Sequence, residues 1–335
     1  MRLWQKDFQF QADAPNLSWL LSKYELVPSH ELTGIDASLF ASIGFSEAQE
    51  LPIATYRYLT HHRKYVKRGG GGYTNKKKAG TILCADPVHL EVGLNDITLT
   101  EQINDLTDDE AKQCLEVLNQ HFKQDGLEFI YGSQSQWYLS LGSKEIINTT
   151  PLTEVLRKNI AHFLPVSTSQ NWNVIQNETQ MLLHSLPLNQ KREMAGLPTL
   201  NSLWFYGGGE PKNFNHMLDS VYGNNEGKGR LLSMAATCDY SPLPENTSRL
   251  IETKLGKHIL VLDQLMLPAI YDDIQEYQKQ LINLDNYIEP IIEAWKKGEI
   301  ELVIDSCTGN LIKPKKIPSW QFWSKKISSL TEISP

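Results

Sequence analysis

The chain has 335 residues, of which 41% are hydrophobic and 21% charged, and its net charge is −7 at pH 7 with histidine neutral. This composition is typical of a globular protein with enough apolar material for one large domain or two ordinary ones. No apolar run approaches the ~18 residues that a membrane span needs, and the acidic charge argues against nucleic acid as the main partner.

The N-terminal stretch and the cysteines indicate the cellular compartment. The first fifteen residues, MRLWQKDFQFQADAP, contain no apolar segment of the kind found in signal peptides, so we expect a cytoplasmic location. The four cysteines form no C-x-x-C pair, which predicts reduced thiols in the core rather than a zinc or redox motif. They are Cys84, Cys114, Cys238 and Cys307.

Residues 1–80 are predicted to form a helical N-terminal region that ends in a basic, glycine-rich loop. NLSWLLSKYEL has apolar residues at helical spacing, and Asn16 or Ser18 is placed to cap this helix. The periodicity of LPIATYRYLTHH fits either a helix or a strand followed by a helical turn.

The loop within residues 61–80 carries seven Lys or Arg and five Gly. One interpretation is a mobile, solvated loop, and the other is a surface that binds an anion, a protein partner or nucleic acid. The P-loop pattern G-x-x-x-x-G-K-[ST] is absent from it. The basic residues are Arg63, Lys64, Lys67, Arg68, Lys76, Lys77 and Lys78.

Residues 81–150 are predicted to be a smaller α+β module. Apolar runs at 81–84 and 88–94 predict strands, and LEFIYGSQSQWYLSL predicts a hairpin. Between them, Thr107 and Glu110 form a capping box at the start of a helix that Gly126 ends. In the segment ADPVHL, Asp86 and His89 are three residues apart, so on a strand they point to opposite faces.

Residues 151–312 are predicted to be an α/β core, followed by a basic aromatic tail at 313–335. A long helical stretch is interrupted near Pro187, and NSLWFYGGG is a buried strand that enters a glycine turn. Further strands are predicted in GRLLSMAATCDYSP, HILVLDQLMLP and IELVIDSC, with a long amphipathic helix between the last two. Strand, helix and strand at this spacing predict a largely parallel sheet. The tail is expected either to pack on the body or to contact a partner or membrane surface.

Residues 177–211 contain the densest set of polar side chains around a glycine turn. His184 lies about two helical turns after Asn177, and Asn189 and Arg192 are spaced to point the same way. Arg192 can hold a carboxylate or phosphate, or pair with Glu193 or Glu210. The glycines can approach an anion or simply make a tight turn. The ligand-binding candidates are Asn177, Glu178, His184, Asn189, Arg192, Asn201, Trp204, Gly207, Gly208 and Gly209.

LHSLPLNQKREMAGLPTLNSLWFYGGGEP resembles the signature of archaeal-type cofactor-independent phosphoglycerate mutases, and the similarity spans roughly residues 80–310. Those enzymes carry a His-Pro-Val-Asn segment, an Arg three residues on, and an Asn-x-x-Trp-x-Trp-Gly-x-Gly strand end. ADPVHL, NETQMLLH, NSLWFYGGG and the tail are similar to a bacterial family, the RpfE-type regulatory proteins. The resemblance implies an α/β fold of the alkaline-phosphatase type. Its largely parallel sheet would have helices on both faces and would carry the smaller α+β module.

The sequence departs from the resemblance at the metal ligands. The Asp-x-x-x-His pattern of the mutases falls on DQLMLPAI, which has no His, and their late Asp-His pair falls on Asp305 and Ser306. Only Asp263 and Asp305 remain as weak metal candidates, so we predict no metal and no cofactor. No counterpart of the phosphorylated serine of those enzymes is evident.

These departures predict a non-catalytic regulatory protein. It would bind a small phosphorylated or acidic metabolite, or a protein partner through the basic loop or the C-terminal tail. The alternative is a metal-dependent phosphomutase or phosphatase of the same superfamily with relocated ligands. Nucleic-acid binding through residues 61–80 is a third hypothesis, which the acidic net charge disfavours.

Overall fold

The structure is a computed structural model that describes residues 14–22, 24–28, 34–45, 50–62, 80–94, 96–212, 218–224, 227–253 and 256–316. The basic residues predicted in the loop at 63–78 and the tail from residue 317 lie outside the described residues. The chain divides into two units. The first comprises residues 1–47, 216–230 and 238–335, and the second comprises residues 48–215 and 231–237.

Helices and strands alternate along the described chain, which makes the fold a mixed α/β one. The α-helices are α1 (Pro15–Leu20), α2 (Ile35–Ser42), α3 (Ile53–His62), α4 (Asp108–His121), α5 (Leu152–Val155), α6 (Trp172–His184), α7 (Pro187–Met194), α8 (Lys228–Ala236), α9 (Ser248–Thr253), α10 (Met266–Ile270) and α11 (Ile274–Lys297). The strands are β1 (Tyr24–Pro28), β2 (Ile82–Val92), β3 (Ile97–Gln102), β4 (Glu128–Tyr131), β5 (Trp137–Ser140), β6 (Lys158–Asn159), β7 (Ser202–Tyr206), β8 (Ser220–Gly223), β9 (Asp239–Pro242), β10 (His258–Leu260), β11 (Ile304–Asp305) and β12 (Asn310–Pro314). A short 3₁₀ helix covers Ile160–His162. None of the helices in the described ranges is long and apolar enough to cross a membrane.

The second unit is built on a six-stranded sheet of order β4-β5-β2-β3-β6, with β7 paired to β2. The two strands predicted at 81–84 and 88–94 are one continuous strand, β2. Pro87 has no N–H to donate, and it falls between the residues of β2 that pair with β5 and those that pair with β3. The predicted hairpin at 127–141 is confirmed as β4 and β5.

The prediction of a largely parallel sheet is wrong for this sheet, because all its pairings are antiparallel. The reason is the length of the connections. The links between β2 and β3 and between β4 and β5 are short turns, and parallel neighbours require a crossover of a dozen residues or more. Parallel pairing is confined, among the described strands, to the sheet β10-β8-β9 of the first unit.

Helix α4 covers the apolar core of the second unit, as its sequence predicts. The Thr107 side chain accepts from the Glu110 backbone N–H and the Glu110 carboxylate accepts from the Thr107 backbone, so the capping box is confirmed. Its apolar stripe, which includes Cys114, packs into a buried cluster with Trp137 and Phe205. Burial raises the pKa of the Cys114 thiol to about 12, as expected of a core thiol.

One ambiguous local prediction is resolved by the structure, and another needs correction. LPIATYRYLTHH is the helix α3. GRLLSMAATCDYSP was predicted to be a strand, but most of it is the helix α8, followed by β9. Its leucines, methionine and alanines favour a helix, and its one β-branched residue, Thr237, follows the end of α8.

The first unit packs α1 against the long helix α11. Asn16 and Ser18 do not cap α1, because the helix begins with Pro15 and its N-cap Ala14 makes no side-chain bond. Asp285 of α11 takes over that role, since its carboxylate accepts from the backbone N–H groups of Asn16 and Leu17. The predicted strand IELVIDSC is reduced to the two residues of β11, which joins β12 and β1 in an antiparallel sheet.

Candidate functional site

Asn189 and Asn201, two of the predicted ligand contacts, are bound to the chain itself. The buried Asn189 amide donates to the carbonyl oxygens of Leu183 and Leu200, both at 2.8 Å, and accepts from the Leu200 N–H at 2.8 Å. Asn201 makes the same kind of paired contact with the backbone N–H and C=O of Leu90. Each asparagine therefore uses its side-chain amide to bond backbone groups of the chain.

Arg192 and Trp204 also bond within the second unit. The Arg192 Nε donates to the Pro198 carbonyl at 2.6 Å, and its guanidinium pairs with Asp105 at 2.8 Å. Its partner is thus neither Glu193 nor Glu210. The Trp204 indole N–H donates to the carbonyl of Thr150 at 2.9 Å.

Asn177, Glu178 and His184 lie on α6, whereas Asn189 and Arg192 lie on the next helix, α7. Asn177 and His184 are exposed. Glu178 lies 2.9 Å from His121 of α4 in a half-exposed pair. This helix face is therefore a solvent-facing one.

The glycine turn at 207–209 does contact a carboxylate, and it is that of Glu50. This carboxylate accepts from the backbone N–H and the hydroxyl of Thr149. Burial raises the pKa of Glu50, while bonds from Thr149 and the backbone of Gly207 and Gly208 act in the opposite direction. A Cβ added at Gly209 would lie 1.8 Å from the Glu50 carbonyl oxygen, so the turn is closely packed against its own chain.

A buried ion pair in the second unit was not predicted from the sequence. The Arg57 guanidinium of α3 donates to both oxygens of Asp86 on β2, at 2.8 and 2.6 Å. Tyr206 donates to the same carboxylate at 2.8 Å. Burial disfavours the charged form of Arg57, but the interactions with Asp86 and the neighbouring Tyr206 and Tyr138, together with Cys84, outweigh it and hold the pKa of the guanidinium above its usual range.

This ion pair extends toward the surface through Tyr138. The Arg57 guanidinium carbon lies 5.1 Å from the centre of the Tyr138 ring, and the Tyr138 hydroxyl lies 2.6 Å from His61 Nδ1. Burial raises the pKa of Tyr138, so its hydroxyl stays protonated beside His61. The sequence does contain a signal for this ion pair, because Arg57 interrupts an apolar helix and Asp86 interrupts an apolar strand.

The region at the ends of β8 and β10 in the first unit, which we call the crevice, was not predicted from the sequence, because the residues of α8 were predicted to form a strand. In the parallel sheet β10-β8-β9, β9 and β10 lie on opposite sides of β8, so the strand order reverses there. Beyond the end of β8, the chain turns through Asn224 and Gly227 into α8. The Asn224 amide donates to the carboxylate of Asp263, which follows β10, at 2.9 Å.

Glycines and Tyr240 shape the turn between β8 and α8. A Cβ added at Gly223 would lie 3.1 Å from the Cα of Gly229, so helix and strand approach closely there. The Tyr240 hydroxyl lies 2.9 and 2.8 Å from the carbonyl oxygens of Gly223 and Asn224. The sequence contains a signal for this turn, the pattern G-x-x-x-G-K-G-R at residues 223–230.

A charged cluster lies at the start of α8. The Lys228 ammonium is 2.6 and 2.8 Å from the two carboxylate oxygens of Asp36, which is only 3% exposed. Nearby, Asp305 accepts from the backbone N–H of Cys307 at 2.8 Å. Burial and the charge of Asp305 raise the pKa of the Cys307 thiol to about 11, so the thiol is protonated at neutral pH.

The two weak metal candidates, Asp263 and Asp305, therefore each have a partner of their own. Asp263 accepts from Asn224, and Asp305 accepts from the backbone of Cys307. Within the described part of the chain, no three His, Cys, Asp or Glu side chains are grouped as they would be around a metal ion.

Comparison with known proteins gives a distant similarity of fold. No family model matches the chain, and no curated protein is similar to it. It is similar to the cofactor-independent phosphoglycerate mutase from Thermoplasma acidophilum DSM 1728, with a TM-score of 0.35 and 15% identity over 81% of this chain and 75% of that one. It is also similar to the PH0037 protein from Pyrococcus horikoshii, with a TM-score of 0.46 and 12% identity over 90% and 80% of the two chains. At these scores we assign no residue a role from either protein.

Proposed function

We propose that this chain is a non-catalytic regulatory protein that binds a small phosphorylated or acidic metabolite. In this proposal it is a pseudoenzyme related to the RpfE-type proteins, on a degenerate phosphoglycerate-mutase scaffold of the alkaline-phosphatase type. The observation that carries ligand binding is the crevice at the ends of β8 and β10, where the strand order of the parallel sheet reverses. In open α/β sheets, ligands bind outside the carboxyl ends of the strands at such a reversal.

The residues of this crevice suit an anion. Gly227 leaves the approach to the first turn of α8 without a side chain. Arg230 adds a cationic residue to that turn, whereas the charge of Lys228 is taken up by Asp36. The first turn of a helix also presents backbone N–H groups and the positive end of the helix dipole, which favour phosphate or carboxylate.

The cluster predicted around residues 177–211 is a weaker candidate for the ligand. Asn189, Arg192 and Asn201 direct their hydrogen-bonding groups to the chain, and Glu50 fills the carboxylate position at the glycine turn. These contacts favour a structural role for that cluster. We therefore place the ligand in the first unit.

A thermal-shift experiment with 3-phosphoglycerate, glycerol 3-phosphate and inorganic phosphate tests the proposal. A ligand that binds the folded state raises the melting temperature by mass action. Gly227→Asp places a carboxylate in the crevice and should abolish the shift. Gly227→Ala is the fold control, because its Cβ would meet Asn224 and Asp263 atoms at 3.3 Å or more.

A second charge control is Lys144→Gln, which removes one cation from an exposed pair in the other unit and should leave the shift intact. The absence of any shift in wild type, or a shift that Gly227→Asp leaves unchanged, contradicts the proposed site. In that event the predicted protein partner of the basic loop or tail becomes the leading hypothesis, and pull-down with loop-neutralised and tail-truncated chains tests it.

The alternative function, a metal-dependent phosphomutase or phosphatase, is favoured by one observation. Asp263 lies at the crevice beside the glycine turn, where a carboxylate can ligate a divalent cation next to a phosphate. Titration with Mn²⁺, Mg²⁺ and Zn²⁺, followed by phosphatase and mutase assays, separates the two functions. Metal-dependent turnover that Asp263→Asn abolishes would establish the alternative.

A further inference from the structure

We draw no further inference here: the strongest candidate, the glycine turn at 207–209 in the second unit, is already closed by the carboxylate of Glu50, which accepts from the backbone N–H and the hydroxyl of Thr149, so the turn belongs to the cluster already described.

Discussion

The ion pair between Arg57 and Asp86 gives the sharpest test of the structure. The change is Arg57→Met, which keeps an unbranched apolar stem and removes the guanidinium. It leaves the carboxylate of Asp86, which is 1% exposed, with the Tyr206 hydroxyl but without a compensating charge.

The expected loss follows from the burial of the pair. Removing one partner of a buried salt bridge typically costs about 3–5 kcal/mol, because the remaining charge is desolvated without compensation. The pair is buried and bidentate, since the Arg57 guanidinium donates to the two Asp86 carboxylate oxygens at 2.8 and 2.6 Å, which supports a value in that range. The double variant Arg57→Met/Asp86→Leu removes both charges and should be more stable than Arg57→Met alone.

The assay is urea denaturation followed by tryptophan fluorescence, with circular dichroism as a second probe because the two units need not unfold together. Lys144→Met is the matched control. It breaks the ion pair between Lys144 and Glu210, whose side chains are 75% and 78% exposed, respectively. The free energy of unfolding should fall by less than about 1 kcal/mol. Two results would contradict a buried ion pair. One is a loss of stability in Arg57→Met no larger than in the control, and the other is a double variant less stable than Arg57→Met.

Three further predictions concern the second unit. Burial raises the pKa of Glu50 from 4.5, so folding favours its protonated form. Stability should therefore fall as pH rises from about 4.5 through the raised pKa. Glu50→Gln should flatten that fall in urea midpoints measured between pH 4 and 8, and an unchanged slope would contradict it. Thr107→Ala removes the cap of α4 and should cost about 1 kcal/mol in urea denaturation, whereas Thr107→Ser should cost much less. Gly209→Ala forces a methyl group against Glu50 and should lower the melting temperature far more than Gly126→Ala, where nothing lies within 4 Å and only the positive φ opposes the change. Similar losses in both alanine variants would count against close packing at the turn.

Several elements could be predicted from the sequence because their signals are local. Thr107 and Glu110 are three residues apart and fix the start of α4 through their own hydrogen bonds. Pro187 divides the helical stretch into α6 and α7 because it lacks the N–H that a continuous helix needs. The apolar run before Gly207 indicates a buried strand irrespective of its partner.

The choice of strand partners was decided by the tertiary structure. The sequence indicates strands in residues 81–94 and 202–206, but not that they pair with each other in antiparallel orientation, with Asp86 opposite Trp204. Strand periodicity records which face is buried and carries no information about direction. The strands expected to form a parallel unit around the long helix, in HILVLDQLMLP and IELVIDSC, therefore belong to two different sheets, and only the first is paired in parallel.

The candidate sites also combine residues that the sequence indicates with contacts that only the tertiary structure decides. The residues predicted a glycine turn and left an anion contact and a simple tight turn both open, and the carboxylate that bonds to the turn comes from Glu50, far earlier in the chain. The crevice of the first unit likewise joins Asn224 to Asp263, which a helix, two strands and a second helix separate. The sequence by itself determined local helices, turns and the chemical types available. Only the tertiary structure decided which charges meet, because burial brings together groups that the chain keeps far apart.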